Sequence, residues 1–137
     1  MKVIFDTNIY ISWIRERKFS DLMVAVNTQK YISSFVIMEL WAGAKTNQAQ
    51  RALEKLQKPY IDAGRCILPS CNDFIKAGGI LSNMPAQYKN KVRSSGFVHD
   101  IFIGLNALSI GALLFTENRK DFMIIHHYLQ ELKIEFV

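Results

Sequence analysis

Short apolar runs alternate with amphipathic stretches along the whole chain. The first run, Val3-Ile4-Phe5, is β-branched and aromatic and meets a carboxylate at Asp6; such a run reads as a buried parallel strand. Ile9, Ile11, Trp13 and Ile14 then give the apolar side of a short helix over Ile9 to Arg17. A second helix is expected over Ser20 to Thr28, with Ser20 as its cap and Leu22, Met23, Val24 and Val26 packing inward. Tyr31-Ile32-Ser33 reads as a second strand, after which Ser33 or Ser34 caps a helix through Val36 to Ala42 that ends near Gly43 or Lys45. Gln48 to Leu56 is amphipathic, with Ala52, Leu53 and Leu56 on one face and Pro59 beyond its end.

Cys66-Ile67-Leu68 reads as a third strand, stopped by Pro69. Asn72 to Ser82 is helical in pattern despite Gly78-Gly79, and Met84 to Ser95 is polar and basic, a loop or short helix at the rim. Phe97 to Ile110 forms the most apolar helix, closed by Gly111. Ala112 to Phe115 follows as a strand, Asn118 to Gln130 as a helix, and Lys133 to Val137 as a last edge strand. This alternation predicts an α/β fold, a sandwich of helices around a short, mainly parallel sheet of about five strands.

A chain of 137 residues suits one domain with one core. Hydrophobic residues make up 50% and charged residues 21%, the balance of a folded globular protein rather than a disordered one. The net charge of +5, with an isoelectric point near 9.3, permits binding to a polyanion without demanding it. Cys66 and Cys71 have no zinc-finger spacing to other Cys or His residues and read as reduced packing residues of a cytoplasmic protein. No signal peptide is visible, because Asp6, Arg15 and Glu16 interrupt the first apolar runs. The longest uncharged stretch, Ile101 to Thr116, is short of the roughly 20 apolar residues that span a bilayer, so no membrane association is expected.

Four acids stand where such a sheet places its chemistry. Ligands of open α/β sheets sit beyond the carboxyl ends of the strands, and Asp6 falls there, although it would equally cap the next helix. Glu39 is the only charge between Lys30 and Lys45 and lies among apolar neighbours, where a charge is costly unless paired or hydrated. Asp100 stands between Phe97-Val98-His99 and Ile101-Phe102-Ile103, a place for an N-cap or for a site. Asp121 follows Leu113-Leu114-Phe115 and, with Asn118 three residues earlier, fits a capping arrangement too. All four lie at strand ends or at helix starts near them, and those ends converge in a doubly wound sheet. Clustered carboxylates repel unless they keep protons or bind a cation. Oxygen donors without His or Cys favour Mg²⁺ or Mn²⁺, and such a site on a basic protein points to phosphate chemistry.

The blocks Val3-Ile4-Phe5-Asp6-Thr7-Asn8, Met38-Glu39-Leu40, His99-Asp100-Ile101-Phe102-Ile103-Gly104 and Phe115-Thr116-Glu117-Asn118-Arg119-Lys120-Asp121-Phe122 resemble a PIN domain. Among PIN domains they are most similar to the VapC-type ribonuclease toxins of toxin–antitoxin pairs, and the resemblance spans nearly the whole chain. It implies a single PIN-like domain over residues 1–137 and a metal-dependent endoribonuclease. It further implies Mg²⁺ or Mn²⁺ as cofactor, RNA as substrate, a cognate antitoxin as inhibitor and a homodimer. Carried over by position, Asp6, Glu39, Asp100 and Asp121 form the catalytic acidic set, with Asp6 and Asp100 on the metal. Thr7, Asn8, Thr116 and Asn118 support them, Asn118 matching a polar position that members use beside or instead of the last acid. The run Ile-Phe-Ile-Gly after Asp100 departs from the more usual small residues, a difference of packing rather than of chemistry.

Lys89, Lys91 and Arg93 are candidates for holding an RNA backbone, although a solvated face gives the same pattern. His99 reads as a partly exposed residue near a helix start rather than a general base. Two rival classes remain. Phosphatases of the haloacid-dehalogenase type follow a first strand with Asp-x-Asp, where this chain has Asn8. A catalytically silent PIN fold would only bind RNA or protein.

Overall fold

The computed structural model describes residues 1–137. Five strands, β1 (Lys2–Phe5), β2 (Gln29–Ser33), β3 (Cys66–Ile67), β4 (Leu113–Thr116) and β5 (Lys133–Phe136), form one sheet in the order β3-β2-β1-β4-β5. Every pairing is parallel. Parallel neighbours need crossover connections, which the helices supply. They are α1 (Thr7–Glu16), α2 (Ser20–Val24), α3 (Ser34–Gly43), α4 (Asn47–Asp62), α5 (Cys71–Asn83), the short α6 (Lys89–Val92), α7 (Ser95–Ser109) and α8 (Arg119–Tyr128). The chain order reverses at β1, which pairs with β2 on one side and β4 on the other. With right-handed crossovers the two halves cover opposite faces of the sheet, and a crevice opens where they part, beyond the carboxyl ends of β1 and β4.

The core is built from the strands and the helix sides that face them. Val3, Ile4 and Phe5 are fully buried in β1, as a strand covered on both faces requires. Ile101, Ile103, Leu105 and Ala107 of α7 are buried just as completely, and because they fall on opposite sides of the helix, this stretch of α7 is enclosed all round. Within the Ile-Phe-Ile-Gly run, Phe102 packs on Phe35 of α3 and Phe74 of α5, while Gly104 faces α8 and the turn after it: a Cβ there would meet the Leu132 side chain at 3.2 Å and that of Ile125 at 3.7 Å, so glycine permits this approach.

Expectations for three of these helices need correction. The second helix stops at Val24 and is not capped by Ser20; Phe19 holds the N-cap position in a left-handed conformation (φ 63°). Val24 and Val26 do not pack inward but are 69% and 99% exposed. Helix α4 passes through Pro59 and ends at Asp62. One missing amide near a helix end removes a single hydrogen bond, and continuation places the Tyr60 hydroxyl 3.0 Å from that of Tyr10. Ala52, expected on the inner face of α4, is exposed, whereas Leu53 is buried. Helix α7 begins at Ser95 with Ser94 as N-cap, so Asp100 lies inside the helix and caps nothing.

Candidate active site

Asp6 ends β1 and opens α1. Its backbone N–H donates to Phe115 O of β4 at 2.9 Å, which fixes the carboxylate over the gap between the two strands. Both carboxylate oxygens are held. Oδ1 accepts from the Thr7 amide at 2.7 Å, and Oδ2 accepts from the Thr116 hydroxyl at 2.7 Å and from Asn8 Nδ2 at 3.1 Å. Asp6 is thus both a helix cap and a site residue, so the two roles the sequence offered are compatible. Burial pushes its carboxyl up to about 6, with a further upward push from Glu39; the bonds from Thr116, Thr7 and Asn8 work the other way.

Asp100 projects from the second turn of α7 and is 8% exposed. Burial again acts first, and the charges of Asp6, Glu39 and Asp121 follow, so its carboxyl rises to about 8 against the lowering bond from Asn118. Asp6, Glu39 and Asp121 are the acids near enough to push it up, so the four expected acids face one crevice. Asn118 ties two of them together: Nδ2 donates to Asp100 Oδ2 at 3.1 Å and to Asp121 Oδ2 at 3.2 Å. Its own Oδ1 accepts from the Asp121 amide, so it also caps α8. The Asn118 amide in turn donates to Thr116 Oγ1 at 2.9 Å, and the Glu117 amide to Asn8 Oδ1 at 3.2 Å. All four supporting residues therefore sit in the site, with Thr7 donating its hydroxyl to Glu39 Oε1 at 2.7 Å.

Two participants escaped the sequence reading. His99 is no bystander at a helix start: Nδ1 lies 3.5 Å from Glu39 Oε2, with the ring against Phe35. Lys91, expected only on an RNA-binding face, pairs its ammonium with Asp121 Oδ1. Lys89 and Arg93, its neighbours on and after α6, are exposed. No sequence signal joins Lys91 to Asp121 or His99 to Glu39, because each pair bridges two helices.

The carboxylates are not drawn into a ready-made cage, for no three Asp, Glu, His or Cys side chains stand together in metal-binding geometry. Each acid has a substitute partner instead: Asp121 has Lys91, Glu39 has Thr7, and Asp100 has Asn118. The donor set is nevertheless suited to a hard cation. Two buried carboxyls, Asp6 and Asp100, both hold protons more tightly than usual, Asp100 in part because of the charge on Asp6, and such a pair is relieved by a proton or by a divalent ion.

No protein-family profile matches the sequence, and no curated protein does. Solved structures do. The chain is similar to one in the VapBC-1 structure from nontypeable Haemophilus influenzae, at TM-score 0.70 and 25% identity over 99% of this chain and 98% of that one. Figures for VapBC from Salmonella typhimurium bound to DNA are 0.69 and 25%, over 99% and 98%. For VapBC2 from Rickettsia felis bound to a promoter fragment they are 0.66 and 25%, over 100% and 99%. These likenesses bear out the resemblance of the four sequence blocks to a VapC-type PIN domain, and the architecture is that of a single PIN-like unit.

Proposed function

We propose that the chain is the toxin of a toxin–antitoxin pair and acts as a Mg²⁺- or Mn²⁺-dependent endoribonuclease. The observation that carries this reading is the Asp6–Asp100 pair, two buried carboxyls raised to about 6 and about 8 at the switch point of the sheet. Strongly perturbed acids gathered in a crevice are a mark of functional sites. The similarity to VapBC structures supplies the biological setting.

Asp6 and Asp100 would hold the ion, joined by Asp121 or Glu39. When bound, a divalent ion neutralises charge on a phosphodiester and makes an adjacent water more acidic. The rest is the work of the chain. Thr116, Asn8 and the Thr7 amide keep Asp6 in one orientation. Asn118 spaces Asp100 from Asp121. Glu39, aligned by Thr7 and next to His99, is placed to take a proton from the attacking water. Lys89 and Arg93, exposed at the rim, offer positive charge to the RNA backbone, and Lys91 would join them once a cation takes its place on Asp121.

A cognate antitoxin would dock beside the acidic crevice. Ile11, Ile14, Leu40, Ala44 and Leu53 of α1, α3 and α4 line an apolar groove of about 160 Å³ that ends at Glu39 and Arg15. A partner helix or strand in this groove reaches the acidic crevice directly, where an arginine would pair with the carboxylates. Self-association belongs to the same reading and is supported by the exposed Leu68, Phe74 and Ile75.

The test is cleavage of a structured RNA by the purified chain. Products should form with Mn²⁺, vanish in EDTA, and fall at least about a hundredfold in Asp6→Asn, the scale at which one well-placed catalytic group acts. Cleavage that persists in EDTA contradicts the metal-dependent mechanism.

A further inference from the structure

A second cavity lies away from the acidic crevice and takes no part in the proposed reaction. Its volume is about 370 Å³, and α1, α4 and the amino ends of β2 and β3 surround it. Three cations line it, Lys30, Lys55 and Arg65, and no acid does. None of the three is in an ion pair. The Lys30 ammonium donates to Ala25 O and to Thr28 Oγ1, so one of its three donors remains free. Arg65 lies over the Tyr31 ring, 5.8 Å from its centroid, and has no carboxylate partner. Like charges gathered without a counterion repel, and an anion between them removes that repulsion.

The remaining walls are aromatic. Trp13 and Tyr60 line the cavity, and Tyr10 lies beneath them, fully buried. The Tyr10 hydroxyl donates to that of Tyr60 at 3.0 Å. The Tyr60 proton then has no acceptor within the protein and is available to a ligand. Cations, a free phenol donor and flat aromatic walls together match a phosphate joined to an aromatic ring system. Cavities of about 300–1,000 Å³ hold small ligands, so the space suits one nucleotide rather than a length of RNA.

We propose that this cavity binds a nucleoside monophosphate group, with the phosphate on Lys30, Lys55 and Arg65 and the base against Trp13 and Tyr60. The group has two possible sources, a free nucleotide or the 5′-phosphorylated end of an RNA chain. The site is independent of the acidic crevice and stands whether or not that crevice is catalytic.

The test is titration of the full chain in EDTA, followed by tryptophan fluorescence and calorimetry. The probes are AMP, UMP, adenosine, inorganic phosphate and a 5′-phosphorylated oligoribonucleotide. AMP and UMP should quench saturably, with adenosine and phosphate each binding at least about tenfold more weakly, since each carries only part of the recognition. Lys55→Gln and Arg65→Gln should each weaken AMP by about tenfold, the loss expected for one charge-assisted contact. An oligoribonucleotide that binds as well as AMP identifies the RNA end as the source, and much weaker binding identifies the free nucleotide. The proposal is overturned if AMP and UMP give no saturable signal at millimolar concentration. Phosphate binding as tightly as AMP, or unchanged AMP affinity in both variants, overturns it as well.

Discussion

At pH 7 a carboxyl raised to about 8 is mostly protonated, and Asp100 is such a carboxyl. Asp6, raised to about 6, is its partner in the same crevice. Both values lie above the ordinary 3.8, so the folded chain holds protons that the unfolded chain has released. Stability from this source is complete below the unfolded value and is lost as pH rises through about 6 and then about 8. Metal-free wild type should therefore melt progressively lower between about pH 5 and pH 9, and Asp100→Asn should show a flatter profile and the higher melting temperature at the alkaline end. Melting curves across pH, read for the difference between the two proteins, check this. Identical slopes would mean that Asp100 does not share its charge with the other acids.

Helix α7 shows how an element sets the state of that residue. Its cap is Ser94, whose hydroxyl accepts from the Phe97 amide at 3.5 Å, one and a half turns before Asp100. Ser94→Ala should thus cost on the order of 0.5–1 kcal/mol, the lower part of the usual range because the bond is long. It should shift the urea midpoint with an unchanged slope. Asp100→Ala loses no cap, and this separates the two positions by unfolding experiments alone. The start of α7 was hard to read because Ser95-Gly96 are weak helix formers, which made the apolar Phe97 look like the first residue. Asp6 was legible because it ends an apolar strand, and Glu39 and Asp100 because each is a lone charge among the apolar residues of α3 and α7. Val24 and Val26 misled for the opposite reason: their apolar character suggests burial, yet α2 ends at Val24 and both lie on the surface. Lys91 and His99 were invisible as site residues, because pairing across helices leaves no trace in spacing.

The whole molecule places an apolar groove and an acidic crevice side by side, with Glu39 common to both. On the proposed function that adjacency would link inhibition to chemistry: a partner held in the groove would lie beside the carboxylates without any change in the fold. Ile14, 42% exposed on the groove wall, is the discriminating position. Ile14→Asp should weaken binding of the cognate antitoxin by at least about tenfold, the effect of placing a charge in an apolar contact, with circular dichroism unchanged. Glu39→Gln should weaken it too if an arginine reaches the acids. Antitoxin affinity equal to wild type in both variants would place the partner elsewhere.

The claim that Asp6 and Asp100 form one cation site is tested most directly by calorimetric titration of Mn²⁺ at pH 7 in two buffers of different ionisation enthalpy. A metal that displaces the Asp100 proton must release it to the buffer. Wild type should bind Mn²⁺ with release of about one proton per ion, and Asp100→Asn should bind far more weakly with none. Mn²⁺ heats that do not depend on the buffer, or that are the same in Asp100→Asn, would contradict a shared carboxylate site.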